Sequence, residues 1–181
     1  MSPSMNPWEE EAYAHEHACY VDSQQALFHP TLYTTHRGVN IMTILTSIYM
    51  RPNPRIDIGP IDTSCAITVC DFGQPNEPII YANEPFLHMT GYRLDEVMGK
   101  NCRFLQTPDG ASRSKSASRS EIKEPARKMR KAVDRRVETQ VTILNYKKSG
   151  QAFHNLVTII PIEVEGRMFG VGLQHDMDSP Q

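Results

Sequence analysis

The chain has no cysteine pair at CxxC spacing, no zinc-ligand spacing and no GxGxxG fingerprint. The first two absences leave Cys19, Cys65, Cys70 and Cys102 to be read as free thiols in a reducing compartment. The third removes the usual site for a nicotinamide donor. No apolar run approaches the roughly 20 residues of a membrane span, and the opening "MSPSMNPWEEE" is acidic where a secretory leader is basic and then apolar. An intracellular protein with no membrane partner is therefore expected. A formal net charge of -2 gives no reason to expect direct nucleic-acid binding. No internal repeat is visible. What is present, 181 residues of which 39% are hydrophobic, suffices for one globular domain with an appendage.

Residues 1–60 are read as an N-terminal cap and hinge, partly loosely ordered, and residues 61–178 as the domain. In "VNIMTILTSIYM" the positions Ile41, Ile44, Leu45 and Ile48 fall at helical spacing, although the β-branched content also suits a strand. Pro52 and Pro54 in "RPNPRIDIGP" end any helix there, and the extended stretch reads either as a functional hinge or as an ordinary linker. From residue 65 the pattern becomes regular. "CAITVCD" and "PIIYA" predict two strands, and Asn83 with Pro85 opens a short helix. "RLDEVMG" predicts a second, "TPDGASRSKSASRS" a polar basic loop, and Ile122, Ala126, Met129 and Val133 a helix of about three turns with Pro125 near its start. Three strands with turns at Ser149-Gly150 and Glu165-Gly166 follow. The order predicts an α+β fold: a five-stranded antiparallel sheet with helices on one face, plus the N-terminal cap.

Strand alternation places Val141, Ile143 and Asn145 on one face, as it does Phe153, Asn155 and Val157, and Gly170, Gly172 and Gln174. Each amide alone is satisfied as well by backbone groups. Three in neighbouring strands call for a polar planar ligand, because a buried amide needs partners for both its ends. A flavin ring meets that demand, with carbonyl acceptors and an N–H donor on one edge and an apolar dimethylbenzene end on the other. The apolar wall is expected from Ile79, Leu105, Met129, Ile143 and Val157, each equally at home in a plain core. Arg103, Gln106, Arg119 and Arg130 are candidates for a phosphate tail, whereas Arg127 and Arg135 are placed on the outer helix face.

"GKNCRFLQ" (residues 99–106), "TGY", "LNYKKSGQAFHNL" and "GLQHD" closely resemble the LOV class of PAS domains, the blue-light flavin photoreceptors, over residues 65–176. The resemblance implies that Cys102 adds to flavin carbon C4a in the light and is released in the dark. It further implies that Asn145 and Asn155 bind the pyrimidine edge, that Gln174 faces O4 and N5 and reorients, and that Asn101 contacts the ring or ribityl side. Arg103 and Gln106 would reach the chain and its phosphate. "RPNPRIDIGPIDTSC" and the long loop after "CRFLQTPDG" resemble the small fungal LOV photoreceptors of the Vivid and Envoy type. That likeness implies FAD, with FMN able to substitute, and no enzymatic activity. It implies a light-dependent homodimer and light adaptation through a LOV-containing white-collar transcription factor complex. Signalling is expected to pass from Gln174 to Cys65 and the hinge at Pro52 and Pro54.

Thr68 stands where the family commonly has Val or Ile; its hydroxyl either affects water access to the ring or serves a backbone carbonyl. Cys70, on the opposite side from Cys65 at a strand end, is a candidate for an exposed thiol making an intermolecular disulfide under oxidation. Two other classes compete. A flavin-dependent redox sensor or thiol oxidoreductase would use Cys102 in the dark, and lacks a resolving thiol at CxxC spacing; a plain PAS interaction module would be colourless. His88 and His154 are read as surface residues, since strand parity turns His154 away from Asn155.

Overall fold

The computed structural model describes residues 35–36, 38–59, 61, 64–107 and 119–179. The reading of residues 1–34, Cys19, Pro60, the loop 108–118 and the Arg119 side chain lie outside the described residues. In chain order the elements are β1 (Thr35–His36), β2 (Val39–Asn40), α1 (Ile41–Met50), β3 (Ala66–Asp71), β4 (Ile79–Ala82), α2 (Glu84–Thr90) and α3 (Leu94–Val97). A 3₁₀ helix (Cys102–Gln106), α4 (Arg119–Asp134), β5 (Thr139–Tyr146), β6 (Ala152–Val164) and β7 (Arg167–Asp176) follow. Among the described residues β3 to β7 form one antiparallel sheet in the order β4-β3-β7-β6-β5. The first and last thirds of the domain thus meet at β3 and β7, which pair Ala66 with Gln174 and Thr68 with Gly172.

The helix reading of residues 41–50 is the one realised. The Asn40 side chain accepts from the Met42 N–H at 2.8 Å and caps the first turn. Ile41, Ile44 and Ile48 are each no more than 1% exposed, packed on Ile67, Val69, Ile160, Phe169 and Val171 of the sheet. Each such side chain contributes roughly 1.5–3 kcal/mol, enough for this face to outweigh the modest β preference of its residues. Arg51 is already extended, with ψ 135, as a residue ahead of a proline must be. Its guanidinium then reaches Glu138 at 2.7 Å, and Glu138 accepts the backbone N–H groups of Arg55 and Ile56 at 2.8 Å. The cap and its proline-rich tail are therefore tied to the edge of the sheet where β5 begins.

The opposite sheet face carries α2, α3, the 3₁₀ helix and α4. Asn83 fixes the entry to α2, accepting from the N–H of Ile67 at 2.8 Å and of Phe86 at 3.2 Å and donating to the Cys65 carbonyl at 2.8 Å. Gly91 ends that helix in the left-handed region, φ 74, returning its N–H to Leu87, a turn that a side chain would strain. Helix α4 begins at Arg119, earlier than expected, with Pro125 inside it. Pro125 lies past the first four residues, whose N–H groups are unpaired in any helix, so it costs one intrahelical hydrogen bond and crowds the carbonyl four residues back. The burial of Ala132 and Val133 holds the helix against β5.

Candidate functional site

The pocket lies between the sheet and its helices and has a volume of about 140 Å³. It is lined by Thr68, Asn101, Cys102, Arg103, Leu105, Gln106, Met129, Arg130, Ile143, Asn145, Val157 and Gln174, all of them expected there. Two expected residues stand back from it. Ile79, 1% exposed, packs with Phe86, Val97 and Leu105 in the core beneath the helices, because β4 is the edge strand and its inward side chains meet α2 and α3. Asn155 is fully buried between its neighbours on β5 and β7.

Three amides and a hydroxyl form one line. Asn155 Nδ2 donates to Asn145 Oδ1 and to Gln174 Oε1, both at 2.9 Å, and Gln174 Nε2 donates to Thr68 Oγ1 at 3.3 Å. The register explains it: Asn155 stands opposite Ile143 on β5 and Asp176 on β7, so Asn145 and Gln174 are its diagonal same-face neighbours. Gly172 makes the close approach possible, since a Cβ there would lie 2.8 Å from Thr68 Oγ1. Asn155 Oδ1 is buried without a hydrogen-bond partner, and such an acceptor costs about 1–3 kcal/mol unless a donor reaches it. Asn145 also lines the cavity, its Nδ2 donating to the Leu144 carbonyl at 3.0 Å. An apolar cavity with an unmet acceptor among amides fits a flat ligand bearing an N–H flanked by carbonyl oxygens.

At the other end Cys102 opens the 3₁₀ helix, held by Asn101, whose Oδ1 accepts from the Arg103 N–H at 2.9 Å. Asn101 Nδ2 in turn donates to the Asn76 carbonyl and, at 3.1 Å, to Glu77. The Cys102 sulfur is half-buried against the cavity and 3.8 Å from the sulfur of Cys70. With the Cys70 thiol as donor, that contact holds Cys102 below the ordinary thiol range; burial works against this and the Thr68 hydroxyl assists it. The same contact, with burial, pushes Cys70 well up. Cys70 is 9% exposed. Its expected role as an exposed thiol making intermolecular disulfides is therefore corrected, because β3 runs on past it to Asp71 under the helices.

The mouth is basic but already partnered. Arg103 donates to Asn76 Oδ1 at 3.0 Å, and Arg130 pairs with Glu77 at 3.1 Å and Asp134 at 2.9 Å. Such half-exposed pairs are each worth about 0–1 kcal/mol, so an anionic tail displaces them at little cost. Glu77, Phe72, Ala126, Val133, Ile159, Gly170 and Gly172 line the cavity unanticipated. For Gly170, Gly172 and Ile159 the signal was available in the strand parity that placed Gln174 and Val157. Of the residues expected to carry a signal, Cys65 packs on the cap side of the sheet, next to the Ala66–Gln174 pair. Pro52 and Pro54 are exposed, on the stretch held by Glu138. His88 and His154 are exposed, His154 against Asp178 at 3.1 Å. Among the described residues no group of three His, Cys, Asp or Glu side chains is placed to hold a metal ion, and no helix is long and apolar enough to cross a membrane.

A family model described as a PAS domain matches residues 64–179. The blue light receptor lreA of Aspergillus flavus is 42% identical over 142 residues, 77% of this chain and 17% of that protein. White collar 1 protein of Neurospora crassa is 34% identical over 142 residues, 77% of this chain and 12% of its own. The chain thus spans less than a fifth of either relative. The crystal structure of the light-state dimer of the fungal blue-light photoreceptor Vivid is 47% identical, with a TM-score of 0.69, covering 81% of this chain and 99% of that one. With its five-stranded sheet, its helices and its cap, the chain belongs to the PAS-domain family, among the LOV photoreceptors of the Vivid type.

Proposed function

We propose that this protein is a blue-light receptor in which Cys102 bonds reversibly to a flavin held in the cavity, and that the change is read out through the cap and self-association. The observation that carries this reading is that Cys102, Asn145 and Gln174 line one cavity with apolar walls, the two amides joined behind it by Asn155. The flavin supplies absorption of blue light and an electrophilic carbon. Everything else falls to the chain. Asn145 and Asn155 hold the ring's polar edge, with Asn155 Oδ1 taking the donor it lacks. Leu105, Met129, Ile143 and Val157 exclude water from the ring, and Arg103, Gln106 and Arg130 take the phosphate end. Cys102 is kept within reach by the Asn101 cap, a positioning effect. We take the flavin to be FAD, with FMN able to occupy the same pocket.

Gln174 is the transmitter in this reading, since its amide is held on both sides, by Asn155 and by Thr68, and a changed ring atom offers it a different partner. Its strand partner Ala66 adjoins Cys65, from which the change reaches the cap. The output proposed is a homodimer, as in the light-state dimer described for Vivid, and association with White collar-type partners in the cytoplasm and nucleus to adapt transcription. The test is the visible absorption of purified protein before and after a blue flash, with hydrodynamic size measured in both states. Bands near ~450 nm that bleach and recover, only while Cys102 is present, are expected by the logic of an activated nucleophile. Bleaching that persists in Cys102→Ala overturns the role of that sulfur, and protein that no flavin colours overturns the reading whole.

A further inference from the structure

The Cys70 and Cys102 sulfurs touch across the cavity floor although 32 residues separate them in the chain. Cys70 follows a register shift in the pairing of β3 with β4, where Val69 faces Tyr81 and Cys70 faces Ile79; such an irregularity re-aims a side chain. Cys65 lies on the opposite face of β3, packed on the cap side, so Cys102 faces a single neighbouring thiol among the described residues. Burial of Cys70 keeps it from other molecules. We propose that Cys70 and Cys102 are a redox couple: hydrogen peroxide oxidises Cys102, and Cys70 then closes an intramolecular disulfide that withdraws the photochemical sulfur.

The chemistry balances. The Cys102 thiolate attacks one peroxide oxygen, the O–O bond breaks, and hydroxide leaves and is protonated to water. The sulfenic acid so formed is attacked by the Cys70 sulfur, the S–O bond breaks, and a second water leaves. Two thiols lose two electrons and two protons, and the peroxide becomes two waters. The polarity of the pair suits these roles, since Cys102 has the lowered thiol pKa and attacks first. Closing from 3.8 Å to a bond of ~2.05 Å asks for side-chain rotation within an existing contact. An attack by Cys70 also protects Cys102 from irreversible oxidation, which gives a dark, reversible state unresponsive to light.

The effect on light sensing rests on the function proposed above, whereas the disulfide itself is read by mass. Flavin-loaded protein is treated with hydrogen peroxide in the dark, blocked with iodoacetamide and digested without reductant. A peptide pair joining Cys70 to Cys102, two hydrogens lighter than its free halves and absent after dithiothreitol, is the expected result. The blue-light bleach is lost in proportion to the joined fraction and returns with dithiothreitol. In Cys70→Ser the same treatment leaves Cys102 as sulfinic acid, beyond rescue by dithiothreitol. Cys102 oxidised while Cys70 is fully alkylated, Cys102 joined to another cysteine, or both thiols alkylated where the chain's other thiols are oxidised overturns the couple. A joined pair that still bleaches fully overturns its hold on photochemistry and points back at the role given to Cys102.

Discussion

The two faces of the sheet are built from the same strands and answer opposite demands. On the cap side β3 and β7 present Ile67, Val69, Phe169, Val171 and Leu173, closed over by Ile41, Ile44 and Ile48 into continuous hydrocarbon. On the pocket side the alternate residues of those strands are Thr68, Cys70, Gly170, Gly172 and Gln174. The cap face is complete as it stands. The pocket face has a buried acceptor without a donor and two thiols in contact. Burial of hydrocarbon stabilises and an unmet buried acceptor destabilises, so the first face supports a site the second could not maintain alone.

The largest effect that would break this comparison is expected on the hydrocarbon side. Ile44→Ala, at a position with no exposure, should lower unfolding free energy by about 2–4 kcal/mol through lost transfer and a cavity. Because Ile44 touches only the cap side, the protein that remains folded should bind flavin with unchanged spectral bands. Chemical denaturation and absorption, run together, check both halves. A loss of flavin at concentrations of denaturant where the cap alone is released would show the two faces to be coupled.

Most of this division was legible in the sequence. Period-two alternation placed Asn145, Asn155 and Gln174 together, and caps and turns such as Asn83 and Glu165-Gly166 placed the element ends. The helix at residues 41–50 stayed ambiguous because its β-branched residues suit either state until the sheet face beneath them is known. Cys70 shows a signal present but overridden. The parity that sends Thr68 to the pocket sends Cys70 there too, yet its place near the strand end suggested exposure. A second thiol beside Cys102 was likewise missed at CxxC spacing because folding, not spacing, brings Cys70 to within 3.8 Å of it. Glu77 and Glu138 had no local signal at all, since the ion pair of Glu138 with Arg51 spans 87 residues.

That pair supplies an intermediate effect. Glu138 is held below the ordinary carboxylate range: burial opposes this, but hydrogen bonds from Arg51 and from the N–H groups of Ile56 and Arg55 outweigh it. A folded-state pKa below the unfolded one gives stability that is fully present above the unfolded value, about 4.3, and is lost as pH falls through the folded value. Glu138→Gln should therefore cost about 1–2 kcal/mol at neutral pH, and the gap from wild type should close on acidification. Thermal unfolding of both proteins from neutral to acid pH measures it. A gap that stays constant with pH would mean that Glu138 contributes by packing and not by charge.

The smallest effect sharpens the pocket side. Thr68 accepts from Gln174 through its oxygen and has one O–H to give, and that proton helps hold Cys102 below the ordinary thiol range, second to Cys70. Thr68→Val keeps the shape and removes the donor, so the midpoint of Cys102 alkylation against pH should rise. Cys70→Ser presents a different donor at the same place, and Cys70→Val removes it, so the valine variant should move the midpoint further than Thr68→Val does. The rates of iodoacetamide labelling in the dark give all three midpoints without light or adduct. If Thr68→Val shifts the midpoint more than Cys70→Val, then the hydroxyl and not the neighbouring thiol sets the reactivity of Cys102, and the polar line from the amides to the sulfur is governed from its Gln174 end.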